Sequence, residues 1–126
     1  MIAVDTSALL ALVLDESRAS ECAAALQSDE LIISAMTLAE ALVVASRRGV
    51  SHQLRSLFDG LDFTVISVSQ STSERVAQIY DLWGKGIQPA ALNLGDCFAY
   101  DVAKEHSCRL LYVGKGFAKT DIESVL

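Results

Sequence analysis

Residues 1–15, MIAVDTSALLALVLD, decide the fold because they join a short apolar run to a helical pattern through a single carboxylate. The run at residues 2–4 has no polar alternation, which is typical of a strand covered on both faces in a parallel sheet. Thr6 and Ser7 can then cap a helix that continues to Val13. We therefore expect a buried first strand followed by a helix, with Asp5 at the junction.

The same alternation of short apolar runs and amphipathic helices continues along the chain. Further strands are predicted at residues 31–33, 63–68 and 110–113, with a short edge strand at 125–126. Helices are predicted after Ser17 or Ser20, over residues 38–48 with Ser34 or Thr37 at the start, over 54–60, after Ser71 or Ser73, and from Asn93, with a loop at 84–89. This order predicts one domain, residues 1–126, folded as a three-layer α/β/α sandwich with a mainly parallel central sheet.

Composition excludes several classes of protein. With 126 residues, 52% of them hydrophobic, and a net charge of -6, the chain is neither disordered nor a nucleic-acid binder held by bulk positive charge. The three widely spaced cysteines predict free thiols in a reducing compartment. The apolar stretch at 8–14 is too short to span a bilayer and lacks a preceding basic region. We expect a cytoplasmic protein with no membrane partner.

Three acidic residues stand where a simple packing pattern does not require them: Asp5, Glu40 and Asp96. Each has a structural alternative, since Asp5 can cap a helix, Glu40 can lie on a wet helix edge, and Asp96 can complement a helix dipole. In parallel sheets, ligands bind at the carboxyl ends of the strands, which is where these acids are expected to meet. Such an oxygen-rich cluster suits Mg²⁺ or Mn²⁺.

Three segments carry a resemblance to a known family: Val4-Asp5-Thr6-Ser7-Ala8-Leu9, Thr37-Leu38-Ala39-Glu40-Ala41, and Asn93-Leu94-Gly95-Asp96-Cys97-Phe98-Ala99-Tyr100. They resemble the acidic motifs of PIN-domain ribonucleases, and more narrowly those of VapC-type toxins of toxin–antitoxin modules. The resemblance implies a PIN-like domain that cleaves RNA phosphodiester bonds with Mg²⁺ or Mn²⁺. It also implies inhibition by a cognate antitoxin, and we expect a homodimer. Asp5, Glu40 and Asp96 are then both the catalytic residues and the metal ligands.

One departure from the family pattern falls inside the expected site. A fourth acidic residue is expected at position 116, where this chain has Gly116, with Lys115 beside it. Lys115 could replace the positive charge of a second metal, or occupy the metal position and inactivate the site. The alternative reading is therefore a catalytically impaired PIN-like module that binds antitoxin or RNA. Asp121 is a further candidate metal contact, against an ordinary surface turn.

Two other interpretations remain open at this stage. The basic residues Arg47, Arg48, His52 and Arg55 form either a phosphate-binding patch or a solvated helix end. A phospho-acceptor signalling domain has a similar length and fold class. It requires paired acids after the first strand, however, and here Asp5 is followed by Thr6.

Overall fold

The computed structural model describes residues 1–86 and 89–126. In this part of the chain the strands are Ile2–Val4 (β1), Leu31–Ser34 (β2), Phe63–Ile66 (β3) and Arg109–Leu111 (β4). The α-helices are Thr6–Val13 (α1), Ala19–Gln27 (α2), Ala35–Arg47 (α3), Ser51–Gly60 (α4), Gln70–Trp83 (α5) and Leu94–Glu105 (α6). A short 3₁₀ turn covers Phe117–Lys119. None of the helices described here is long and apolar enough to cross a membrane.

The four strands form one parallel sheet with the order β3-β2-β1-β4. The chain moves outward from β1 to β2 and β3, and then returns to place β4 on the other side of β1. The strand order therefore reverses at β1, and the crevice outside the carboxyl end of this strand is the expected ligand site of such a sheet. Asp5 is the first residue beyond that end.

Helices cover both faces of the sheet, which confirms the predicted three layers. Ile2, Val4 and Ile33 pack with apolar residues of α1, α2, α3 and α4 in one core. Ala3 and Ile32, which point to the opposite face, pack with residues of α5 and α6 in the other. The uninterrupted apolar strands follow from this burial on two sides, because successive side chains of a strand alternate between the faces.

Several predicted boundaries were wrong, and local hydrogen bonding explains one of them. Helix α5 is capped by Ser69, not by Ser71 or Ser73, because Ser69 and Thr72 each accept the backbone N–H of the other. Helix α3 begins at Ala35 and is capped by Ser34, one of its two predicted starts, because the Ser34 hydroxyl accepts the backbone N–H of Met36. The other displaced boundaries are these: α2 follows Arg18 with no side-chain cap, α4 begins at Ser51, β3 ends at Ile66, and β4 covers Arg109–Leu111.

Two further predictions concern segments outside the regular elements. The expected edge strand at 125–126 is reduced to a single bridge between Leu110 and Ser124. The predicted loop at 84–89 includes residues 87 and 88, which lie outside the described part of the chain. On either side of them, Gly84 and Leu92 form an isolated parallel bridge. The chain therefore leaves α5 along a defined path.

An ion pair joins α5 to α6, the helix that carries Asp96. Arg75 donates to both carboxylate oxygens of Asp101, from Nε to Oδ1 at 2.7 Å and from Nη2 to Oδ2 at 3.1 Å. The Asp101 side chain is only 4% exposed, whereas the Arg75 side chain is 36% exposed. Loss of Arg75 would leave a buried carboxylate without its cation, which is more costly than the pair itself is stabilising.

We expect Arg75→Met to lower the free energy of unfolding by about 2 kcal/mol, because Asp101 stays buried without a partner. Urea unfolding followed by circular dichroism measures the loss. Arg18→Met is the matched control, since Arg18 pairs with Glu21 on the surface and its loss should cost about 0.5 kcal/mol or less. Equal losses in the two variants would show that the Arg75–Asp101 pair does not hold α5 against α6.

Candidate active site

Asp5 lies at the strand-order switch with its carboxylate turned into the protein. The side chain is 3% exposed. Its Oδ2 accepts hydrogen bonds from the backbone N–H of Ser7 at 3.0 Å and from the Ser7 hydroxyl at 2.6 Å. The same hydroxyl accepts the backbone N–H of Val113 at 3.0 Å, so Ser7 links the ends of β1 and β4. Asp5 therefore caps α1 and also stands at the carboxyl end of β1.

The second carboxylate oxygen of Asp5 is unsatisfied. Oδ1 is buried and has no hydrogen-bond partner among the described residues. Burial raises the pKa of Asp5 to about 6, the hydrogen bonds from Ser7 oppose this rise, and the nearby carboxylates of Asp96 and Glu40 add to it. A buried carboxylate with a free oxygen and like charges beside it is destabilising unless a cation or a proton neutralises it.

Glu40 reaches the same place from the middle of α3. Its carboxylate is half-buried, and Oε1 accepts a hydrogen bond from the Thr6 hydroxyl at 2.8 Å. The other side of the carboxylate lies against Gly95 in the first turn of α6, where a Cβ would come within 2.9 Å of the Glu40 carboxyl carbon. Only glycine allows α6 to approach Glu40 this closely. Glu40 is thus held between α1 and α6, not on a free edge of α3.

Asp96 is fixed by the helix that it begins. Its Oδ2 accepts the backbone N–H of Asn93 at 3.0 Å, while the Asn93 side chain accepts the N–H of Asp96 at 2.8 Å. This reciprocal cap confirms the predicted start of α6 at Asn93. Burial raises the pKa of Asp96, and Glu40 adds to that rise, whereas the Asn93 hydrogen bond and the Lys85 ammonium lower it.

The three predicted acids therefore lie close enough at the carboxyl end of the sheet for their negative charges to repel one another. In this conformation their side chains are not gathered closely enough to hold a metal ion. Within the described ranges, no group of three carboxylate, histidine or cysteine side chains is arranged to bind one. One oxygen of each acid is already bonded, to Ser7, Thr6 or Asn93. The oxygens left over, above all the buried Oδ1 of Asp5, fit the demand of a hard divalent cation for oxygen ligands.

Other residues singled out by the sequence lie elsewhere or play other roles. Asp121 accepts hydrogen bonds from the Tyr100 hydroxyl and from Lys104, so it holds the C-terminal segment against α6. Gly116 lies against the carbonyl of Ala90, 3.3 Å from the position that a Cβ would take. Lys115 is exposed. The four basic residues at the end of α3 and in α4 are likewise exposed.

Sequence reasoning did not single out two residues that lie beside the candidate site. Gly95 was read only as part of the helix start, although a glycine inside a first helical turn is a signal of close approach. Lys85 was not singled out, because nothing in the sequence places it near Asp96. Both depend on contacts between segments that are far apart in the chain.

The parallel three-layer sandwich, with acids at the end of β1, on α3 and at the start of α6, agrees with the family resemblance of the three sequence motifs. The PIN domain family model matches residues 2–123. The chain belongs to this family.

Relatives within the family are VapC proteins. Ribonuclease VapC36 of Mycobacterium tuberculosis is 40% identical over 95% of this chain and 90% of its own length. The crystal structure of Mycobacterium tuberculosis VapC20, a sarcin-ricin loop cleaving toxin, superposes with a TM-score of 0.81 at 16% identity, over 99% of this chain and 98% of that one. A toxin–antitoxin complex from Klebsiella pneumoniae superposes with a TM-score of 0.73 at 22% identity, over 96% and 93%.

We expect the stability of the metal-free chain to fall as the pH rises, because the folded chain holds a proton on Asp5 that the unfolded chain releases earlier. The difference between a pKa of about 6 when folded and the ordinary value of 3.8 corresponds to about 3 kcal/mol. This loss of stability is absent below pH 3.8, grows as the pH rises, and is complete above pH 6. Unfolding by urea in EDTA, at several pH values, measures it.

Asp5→Asn removes the titrating group, so its stability relative to the wild type should improve across that pH range. Asp59→Asn, which removes an exposed carboxylate of α4, is the matched control. Parallel pH curves for the wild type and Asp5→Asn would contradict the assignment of a raised pKa to Asp5.

Proposed function

We propose that this chain is an RNA-cleaving toxin whose acidic centre, formed by Asp5, Glu40 and Asp96, uses a divalent cation. The observation that carries the proposal is the buried, unpartnered Oδ1 of Asp5 at the strand-order switch, with two further carboxylates acting on it. Membership in the PIN-domain family and similarity to VapC ribonucleases support RNA as the substrate.

In this proposal Asp5 and Asp96 hold the cation, and Glu40 holds it through a water molecule or orients the attacking water. When bound, Mg²⁺ or Mn²⁺ polarises a phosphoryl oxygen and lowers the pKa of a coordinated water. Ser7 keeps the Asp5 carboxylate in one orientation and Thr6 does the same for Glu40. Water attack on the phosphorus then cleaves the phosphodiester bond by hydrolysis.

The proposed partners follow from the same family. The solved complex from Klebsiella pneumoniae supports a cognate antitoxin that binds this chain. Exposed Met36 and Val43 on α3 and exposed Leu94 at the start of α6 are apolar groups that a protein partner would cover, and they support the proposed homodimer as well. An RNA substrate and free thiols support a cytoplasmic location.

A second candidate, a PIN-like module with an impaired site, rests on position 116. Gly116 supplies no carboxylate, and the adjacent Lys115 is exposed. With one acid fewer, the centre would bind a cation more weakly and could retain only binding to RNA or antitoxin. Metal affinity distinguishes this candidate from the active toxin.

We expect RNA cleavage that requires Mg²⁺ or Mn²⁺ and falls at least about 100-fold in Asp5→Asn and in Asp96→Asn, because each substitution removes a charged cation ligand. Gel electrophoresis of labelled RNA, with and without EDTA, measures the rate. Asp59→Asn is the control for loss of one carboxylate elsewhere and should cleave normally. Cleavage in EDTA, or full activity in both site variants, would refute the proposed function.

Gly116→Asp tests the impaired-module alternative. The backbone at Gly116 has φ −61, which any residue adopts, so a carboxylate can be introduced with a small adjustment against Ala90. If the missing acid limits the site, Mg²⁺ affinity should rise about tenfold by calorimetry, and cleavage should rise with it. Gly116→Asn is the isosteric control without charge. Unchanged affinity in Gly116→Asp would exclude this alternative.

A further inference from the structure

The segment after α5 is attached to the residues that begin α6. The backbone N–H of Lys85 donates to the carbonyl of Leu92 at 3.1 Å, and the N–H of Leu92 donates to the carbonyl of Trp83 at 3.0 Å. Leu92 is 1% exposed and immediately precedes Asn93, the cap of α6. The backbone of Lys85 is therefore fixed beside the helix start that carries Asp96.

Gly84 makes this path possible. A Cβ at this position would come within 2.8 Å of the Tyr80 ring, so a larger residue could not leave α5 in this direction. Gly84 is buried, and the next residue, Lys85, is exposed. The chain thus passes from a buried to an exposed residue at this point, and the lysine side chain lies in solvent.

The backbone bond of Lys85 to Leu92, one residue before the cap of α6, places its side chain in the neighbourhood of Asp96. The direction in which the Lys85 ammonium acts on Asp96, lowering the pKa of that carboxyl, agrees with this position. Within residues 1–86 and 89–126 Lys85 makes no salt bridge, whereas Lys104 is paired with Asp121. Lys115 is also exposed, but it lies in a turn between Gly114, at φ +121, and Gly116. Among the described residues the backbone of Lys115 makes no hydrogen bond like the one from Lys85 to Leu92.

Binding of RNA beside the acidic centre requires a basic side chain in addition to the divalent cation. The chain carries a net charge of -6, and three of its sixteen acidic residues form the proposed centre, at the point where a phosphodiester must enter. A bound divalent cation offsets only part of this charge. Phosphate groups that flank the scissile bond are therefore repelled unless a basic side chain lies beside the acids.

We propose that Lys85 binds a backbone phosphate of the RNA beside the acidic centre and so positions the phosphodiester for cleavage. This inference rests on the proposed function, since it assigns a contact to the same substrate. A lysine that contacts phosphate carries no sequence information, so its contribution is the same for different RNA sequences and weakens with salt.

The test measures binding of labelled poly(U) and poly(A) oligonucleotides by fluorescence anisotropy in the non-cleaving Asp5→Asn background. Adding Lys85→Ala should weaken both complexes about tenfold and reduce the slope of log affinity against log salt by about 0.7, the value for one phosphate contact to a single strand. Lys85→Arg should retain binding. Arg109→Ala, which removes an exposed charge at the opposite end of the sheet, should change affinity less than about twofold.

Cleavage by otherwise wild-type protein completes the test. Lys85→Ala should raise KM and leave kcat nearly unchanged, because the contact is to a phosphate that does not react. Equal effects of Lys85→Ala and Arg109→Ala on binding would overturn the inference. Metal-dependent cleavage by the wild type would still support the proposed function in that case. Absence of metal-dependent cleavage together with Lys85-dependent binding would instead refute the proposed function and retain the phosphate contact.

Discussion

The burial of one carboxylate, that of Asp5, is the constraint on which the site depends. One of its oxygens is satisfied by Ser7, and the other has no partner among the described residues. A protein selected only for stability would replace this group with an amide or an apolar residue, because burial of the charged form is unfavourable. A free buried oxygen at the strand-order switch has a chemical use when a cation binds there, so stability and function oppose each other at this residue.

The remaining acids reach Asp5 only because two helices approach each other closely across the end of the sheet. Gly95 lets the first turn of α6 lie against Glu40, and Thr6 holds the other side of the Glu40 carboxylate. The position of α6 is in turn supported by the Arg75–Asp101 pair with α5. A partly buried ion pair and the absence of a side chain at Gly95 thus contribute to the geometry of the proposed site without belonging to its acidic centre.

The net negative charge of the chain has two separate consequences for the proposed RNA binding. The excess of acids opposes broad electrostatic attraction to RNA, and it also includes the three carboxylates of the proposed metal centre. Substrate binding then depends on a few basic groups at defined positions. Lys85 meets this need because backbone hydrogen bonds, not its own side chain, fix where it emerges.

The amino-acid sequence alone determined the parallel three-layer fold, because uninterrupted apolar strands and amphipathic helices are local patterns that tertiary contacts rarely override. It also singled out Asp5, Glu40 and Asp96 as candidate site residues, because acids in apolar surroundings can be recognised locally. It correctly predicted Asn93 as the cap of α6, since caps at helix starts are likewise local signals. It misplaced the start of α5 because several serines compete for the cap and reciprocal bonding with Thr72 selects Ser69. The contact of Gly95 with Glu40, the unpartnered oxygen of Asp5 and the position of Lys85 were decided by tertiary structure only, because each arises between segments that are distant in the chain and meet through packing.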